Sequence, residues 1–170
     1  MTIGNSVTSI TNAAFFECTS LASATIGNSV TNIDDYAFQG TALTSITIPD
    51  SVTSIGIQAF RQTALTSITI PDSVTSIGAS AFYQCSNLES ATIGDSVTSI
   101  GTNAFEGCNK LDIVYMIQTV ASDLGVSFGT GKSFFGITTE IENHKAPVKF
   151  RDNGNNVCLL YTSDAADESC

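Results

Sequence analysis

LTSITIPDSVTSIGIQAF, residues 43–60, returns as LTSITIPDSVTSIGASAF at residues 65–82. Only Ile57 against Ala79 and Gln58 against Ser80 separate the two copies. Looser copies flank them on both sides. Equivalent threonines stand at Thr2, Thr25, Thr47, Thr69 and Thr92, in steps of 23, 22, 22 and 23 residues. A fixed period of this length is the signature of a solenoid, in which each repeat is one coil that buries its apolar face only against its neighbours.

The apolar positions recur in register. Val7, Val30, Val52, Val74 and Val97 form one ladder, and Ile10, Ile33, Ile55, Ile77 and Ile100 a second. Ala14, Ala37, Ala59, Ala81 and Ala104 form a third, followed at once by Phe15, Phe38, Phe60, Phe82 and Phe105. Leu21, Leu43, Leu65, Leu88 and Leu111 open the next strand each time. In one copy Leu43, Ile46 and Ile48 face the core while Ser45 and Thr47 face away, the period-two pattern of a half-buried strand. Pro49-Asp50-Ser51 ends that strand in a turn. The stretch 52–55 reads as a second short strand, and Gly56 permits a bend, although Thr11 and Asp34 fill that slot elsewhere. Ala59-Phe60 and the residues after it are expected to form a short helical or 3₁₀ turn. Neighbouring coils are expected to pair as parallel strands about 4.8 Å apart, with the five phenylalanines stacked along the axis. Residues 1–116 thus read as one mainly β solenoid of about five coils, the first incomplete.

The pattern IPDSVTSIGxxAFxxCxxL, carried five times between residues 1 and 111, resembles the BspA-like leucine-rich repeats of bacterial and protist surface proteins. The resemblance implies a right-handed coil stack with a parallel sheet. It also implies a secreted or surface-attached module that adheres to a protein or glycan of a host or another cell. Thr41 and Thr63 depart from the pattern where its cysteine stands. No secretion leader precedes the repeats, so the true start of the protein is expected to lie upstream.

Composition narrows the function. With 42% hydrophobic and 13% charged residues in 170, the chain supplies one core. Six basic against 16 acidic residues leave a net charge of −10, which repels nucleic acid and anionic lipid alike. No run of eighteen apolar residues crosses a membrane. No catalytic, cofactor or metal set emerges. GTGKS at 129–133 lacks the first glycine of a phosphate-binding loop, whose place Val126 holds. His144 is the single histidine and is expected at the surface. Asp50, Asp72 and Asp95 recur in equivalent turns and read as turn formers, with weak calcium binding as the other reading. Cys18, Cys85 and Cys108 share one repeat slot, read as a small buried thiol or, alternatively, as a Cys85–Cys108 disulfide or metal site. The spacing from Phe to the next Leu is six residues where Cys is present and five where Thr replaces it.

The outward strand positions make two polar ladders, Ser23, Ser45, Ser67, Ser90 and Thr25, Thr47, Thr69, Thr92. They form the candidate binding face, for a protein or glycan partner. The other readings are a solvated sheet of a structural spacer and, more remotely, an ice-binding array, which thermal hysteresis would reveal. Tyr36, Arg61 and Tyr83 are the irregular residues that interrupt the repeats, all near the Ala-Phe turn.

Residues 112–116 fit the opening strand of a sixth coil. The segment 117–157 is apolar and β-rich without repeats, and is expected to cap the solenoid or to begin another domain. CLLYTSDAADE, 158–168, resembles the in-frame translation of a transposase sequencing adaptor. Residues 158–170 are therefore expected to stand outside the fold, and the chain to be a fragment.

Overall fold

The computed structural model describes residues 1–111 and the backbone of three later strands, Ile113–Ile117, Val148–Arg151 and Val157–Leu160. Residues 1–111 wind into a parallel β-solenoid of about four turns. Each coil carries two short strands. The second of each coil, β1 (Ser9–Ile10), β3 (Asn32–Ile33), β5 (Ser54–Ile55), β7 (Ser76–Ile77) and β9 (Ser99–Ile100), build one five-stranded parallel sheet. Its register runs Ile10, Ile33, Ile55, Ile77, Ile100, the isoleucine ladder of the repeats.

The first strands of the later coils are β2 (Ser23–Thr25), β4 (Ser45–Thr47), β6 (Ser67–Ile70), β8 (Ser90–Ile93) and β10 (Ile113–Ile117). β2 pairs with β4, Thr25 opposite Thr47, and β6 with β8, Thr69 opposite Thr92. Between β4 and β6 the strand ladder is interrupted, and the Thr66 N–H still donates to the Thr44 carbonyl at 3.2 Å. β10 lies parallel to β8 as the opening strand of a sixth coil, Ile113 opposite Ser90. β11 (Val148–Arg151) continues that sheet in parallel, and β12 (Val157–Leu160) ends it antiparallel. β12 takes in 158–160, three residues of the adaptor-like stretch. GTGKS, His144 and the remainder of 117–170 lie outside the described residues.

The ladders form the core. Phe38, Phe60, Phe82 and Phe105 are fully buried, as are Val30, Val52, Val74 and Val97. Successive phenyl rings stack with centroids 5.0–5.3 Å apart and planes within 14°, an offset-stacked geometry. The first coil departs from the expected uniformity. Val7 is 36% exposed, Ala14 is exposed and Phe15 only half-buried, because each has a neighbouring coil on one side alone.

The turn after each second strand is not helical. An expected 3₁₀ segment is replaced by turns whose third residue has positive φ: Ala13, Tyr36, Gln58, Ser80 and Asn103, then Glu17, Gly40, Gln62, Gln84 and Gly107. The second turn closes in every coil, as with Cys85 N–H to the Phe82 carbonyl at 3.2 Å. A positive φ at the third position is the type II arrangement, in which the central peptide is flipped. The flip turns alternate N–H groups toward the next coil. Gln58, Phe60 and Gln62 donate to the carbonyls of Ala79, Ala81 and Tyr83 at 3.0, 2.8 and 2.8 Å. A helix would spend those donors within its own coil and leave the stack unbonded there. Inter-coil bonding wins even where a side chain must occupy the left-handed region.

Threonines reinforce the stack beside the second strands. The hydroxyls of Thr31, Thr53, Thr75 and Thr98 each donate to the carbonyl of the equivalent threonine one coil earlier, at 3.1–3.2 Å. The same carbonyl accepts that residue's backbone N–H.

Candidate recognition groove

The first-strand face carries a groove of about 950 Å³ spanning three coils. Its strand positions are alternately buried and exposed because the apolar partners, such as Ile68 and Ile70, turn to the core. Of the candidate face, Ser45, Thr47, Ser67, Thr69 and Thr92 line the groove. Ser23 and Thr25 are exposed on β2, in register with Ser45 and Thr47, but stand outside it. Ser90 is half-buried and does not line it. The structure adds residues that the strand pattern left out: Asp50, Asp72 and Asp95 along one rim, with Pro71 and Gly94 between strand and turn. The signal for the three aspartates was their repetition, which turn chemistry had already explained.

Those aspartates are both turn residues and groove residues. The Asp95 N–H donates to Asp72 Oδ1 at 3.0 Å, as the Asn28 N–H does to Asn5 Oδ1 at 3.0 Å in the first coils. Burial at the rim, and then the neighbouring Asp72 carboxylate, hold the Asp95 carboxyl above the usual carboxylate range. Among the described residues no three His, Cys, Asp or Glu side chains converge to hold a metal ion.

Two of the irregular residues meet outside the groove. Arg61 stands 5.1 Å over the Tyr83 ring and donates to Gln58 Oε1 at 2.8 Å. None of Tyr36, Arg61 and Tyr83 lines the groove.

The cysteine slot is a packing site. Cys18, Cys85 and Cys108 are free thiols, so no disulfide joins Cys85 to Cys108. Cys85 and Cys108 are buried, and their Sγ atoms donate to the carbonyls of Phe60 and Phe82 at 3.1 Å. Thr41 and Thr63 are buried in the same slot, Thr63 with its hydroxyl 3.2 Å from Cys85 Sγ. The longer coils use their extra residue in a further turn, Leu88 N–H to the Cys85 carbonyl at 3.0 Å. A side-chain hydrogen bond in which Cys108 donates to Cys85, together with burial, pushes the Cys108 thiol up, which makes it a poor nucleophile. In a variant carrying Cys158→Ser and Cys170→Ser, a thiol reagent such as DTNB is expected to label Cys18 at once, and Cys85 and Cys108 only on unfolding. Rapid labelling of all three thiols in the native protein would contradict the buried slot.

The family is visible in the whole repeat region. The profile of the BspA type leucine rich repeat region matches residues 1–120 in six copies. The chain belongs to that family. Among solved structures, a leucine-rich repeat protein from Bacteroides ovatus ATCC 8483 is 36% identical over 67% of this chain, with a TM-score of 0.64. The T. pallidum leucine rich repeat protein is 31% identical over 68% of it, with a TM-score of 0.60. The BspA-type chain spans 30% and 51% of those two proteins. A leucine rich cell surface protein from Faecalibacterium prausnitzii A2-165 is 29% identical over 60% of this chain and 43% of its own, with a TM-score of 0.45. A comparison with curated proteins gives no match. No helix among the described residues is long and apolar enough to cross a membrane.

Proposed function

We propose that this BspA-type solenoid is a non-enzymatic recognition module of a surface or secreted protein, and that the first-strand groove holds its protein or glycan partner. The observation that carries this reading is the groove itself. Five of the eight candidate Ser and Thr residues line one concavity of a size suited to a peptide or sugar chain. Their hydroxyls both donate and accept hydrogen bonds, so they suit a polar ligand without acting as a catalytic set. Family membership supports the surface location. The regularity of the face favours a second reading, a spacer that binds nothing and holds other parts of a longer protein apart.

Thr69→Arg separates the two. Thr69 stands mid-groove, and an arginine there fills the concavity. Immobilised protein is screened against purified proteins and glycans, beside Thr53→Arg on the second-strand side as control. A partner lost on Thr69→Arg and kept on Thr53→Arg is the expected result. A screen in which every partner ignores Thr69→Arg, or none binds, leaves the spacer.

A further inference from the structure

The groove is periodic, and so is the charge along its rim. Asp50, Asp72 and Asp95 occupy the same turn of three successive coils, and paired strands of neighbouring coils step by about 4.8 Å. No basic residue lines the groove, and among the described residues none of the three aspartates has an ion-pair partner. Residues 1–111 hold eight acidic side chains against Arg61 and Lys110, so the rim keeps its field. The carboxylates stand one per coil without converging, and no metal-binding group forms among the described residues. The matching ligand is therefore a row of separate cations on an extended chain.

The spacing selects the row. Two coil steps cover about 9.6 Å. Three residues of a polyproline-type segment cover about 9.3 Å and make one full turn, so side chains at i and i+3 share a face. Cations at i and i+3 then face Asp50 and Asp95, the first and third carboxylates. Thr47, Thr69 and Thr92 recur with the same step on the floor, where hydroxyls meet the segment's backbone N–H and C=O groups.

We propose that the groove binds an extended basic protein segment with Lys or Arg three residues apart, running along the solenoid axis. This rests on the reading of the groove as a recognition site. The test uses short fluorescein-labelled peptides and the full chain. One peptide carries Lys at every third position, and a second the same number of Lys in one block. The triple variant Asp50→Asn, Asp72→Asn, Asp95→Asn removes the charge and keeps the turn, since Asn5 and Asn28 already fill that slot in the first two coils. Anisotropy titration is expected to show the spaced peptide binding more tightly than the block. The triple variant should weaken it about tenfold, from the loss of two exposed ion pairs and of the Asp72 charge between them. The control Asp34→Asn, Glu89→Gln, Glu106→Gln, with the same change in net charge, should stay within roughly twofold. Equal loss in both variants, equal binding of both peptides, or no binding overturns the proposal. If the peptides fail while Thr69→Arg still removes a screened partner, the basic segment falls and the groove reading stands. If neither probe senses the groove, both fall.

Discussion

Phe60→Ala is expected to lower the unfolding free energy by about 3–5 kcal/mol. Phe60 is fully buried in the central coil, with Phe38 at 5.3 Å on one side and Phe82 at 5.3 Å on the other. Truncation removes the transfer free energy of one ring and leaves a cavity that opens onto two more. The backbone cannot close it, because the Phe60 N–H is bonded to the Ala81 carbonyl and the Phe38 N–H to the Ala59 carbonyl, both at 2.8 Å. Those bonds hold the coil spacing whatever the side chain. Phe15→Ala is the internal comparison. Phe15 is half-buried and stacks on Phe38 alone, at 5.2 Å, so its loss should be markedly smaller. Denaturant unfolding of the two variants, read at constant slope, decides the matter. A loss below about 1 kcal/mol for Phe60→Ala would mean that the phenylalanine stack does not hold the coils together.

Gly78→Ala should cost about 1–3 kcal/mol, although it adds one methyl group to a position of ordinary φ. A Cβ at Gly78 would lie 2.5 Å from the Gly56 carbonyl carbon and from the Ile57 nitrogen. Both are backbone atoms of the preceding coil and have no rotamer by which to yield. The coils would have to part, against the Gly78 N–H bond to the Ile55 carbonyl at 2.8 Å. Glycine is here a matter of clearance between coils, not of the tight bend read from the sequence. In the second coil Asp34 occupies the slot, and its carboxylate accepts from the Ser9 hydroxyl at 3.2 Å. Gly4→Ala is the control, because a Cβ there meets nothing within 4 Å. It should leave the melting temperature unchanged or slightly raised. Equal behaviour of the two substitutions would remove the clearance argument.

The repeat period, the strand positions and the buried face were legible in the chain because each is a local pattern. Thr47 and Thr69 alternate with Ile46, Ile48, Ile68 and Ile70, and that alternation alone assigns the polar residues to the outer face. The 22–23 residue step then implies that the same side chains lie above one another, which places Phe15 to Phe105 in one column. The departures came from position in the stack. Val7 and Val52 occupy the same repeat slot, yet one is 36% exposed and the other fully buried. The difference is whether a coil packs on both sides.

The groove was half legible. Its threonine floor was, but Ser23, Thr25 and Ser90 carry the same signature and do not line it. Concavity depends on how three coils sit together, which a single coil does not encode. The aspartates of the rim were visible as turn residues; their membership of the groove was not.

The chain alone specifies a solenoid, the ladders that fill its core and the row of hydroxyls it shows to solvent. Repetition does this, because a residue with a fixed place in a coil meets its own copy in the next. The path of the chain after each second strand depends instead on the packing of coil on coil. There the pull of inter-coil hydrogen bonding outweighs the preference of Tyr36, Gln58, Ser80 and Asn103 for negative φ, and an expected helical turn becomes a flipped one. The same stacking sets the clearance at Gly78 and the depth of the groove, since both are distances between coils and not properties of any one of them.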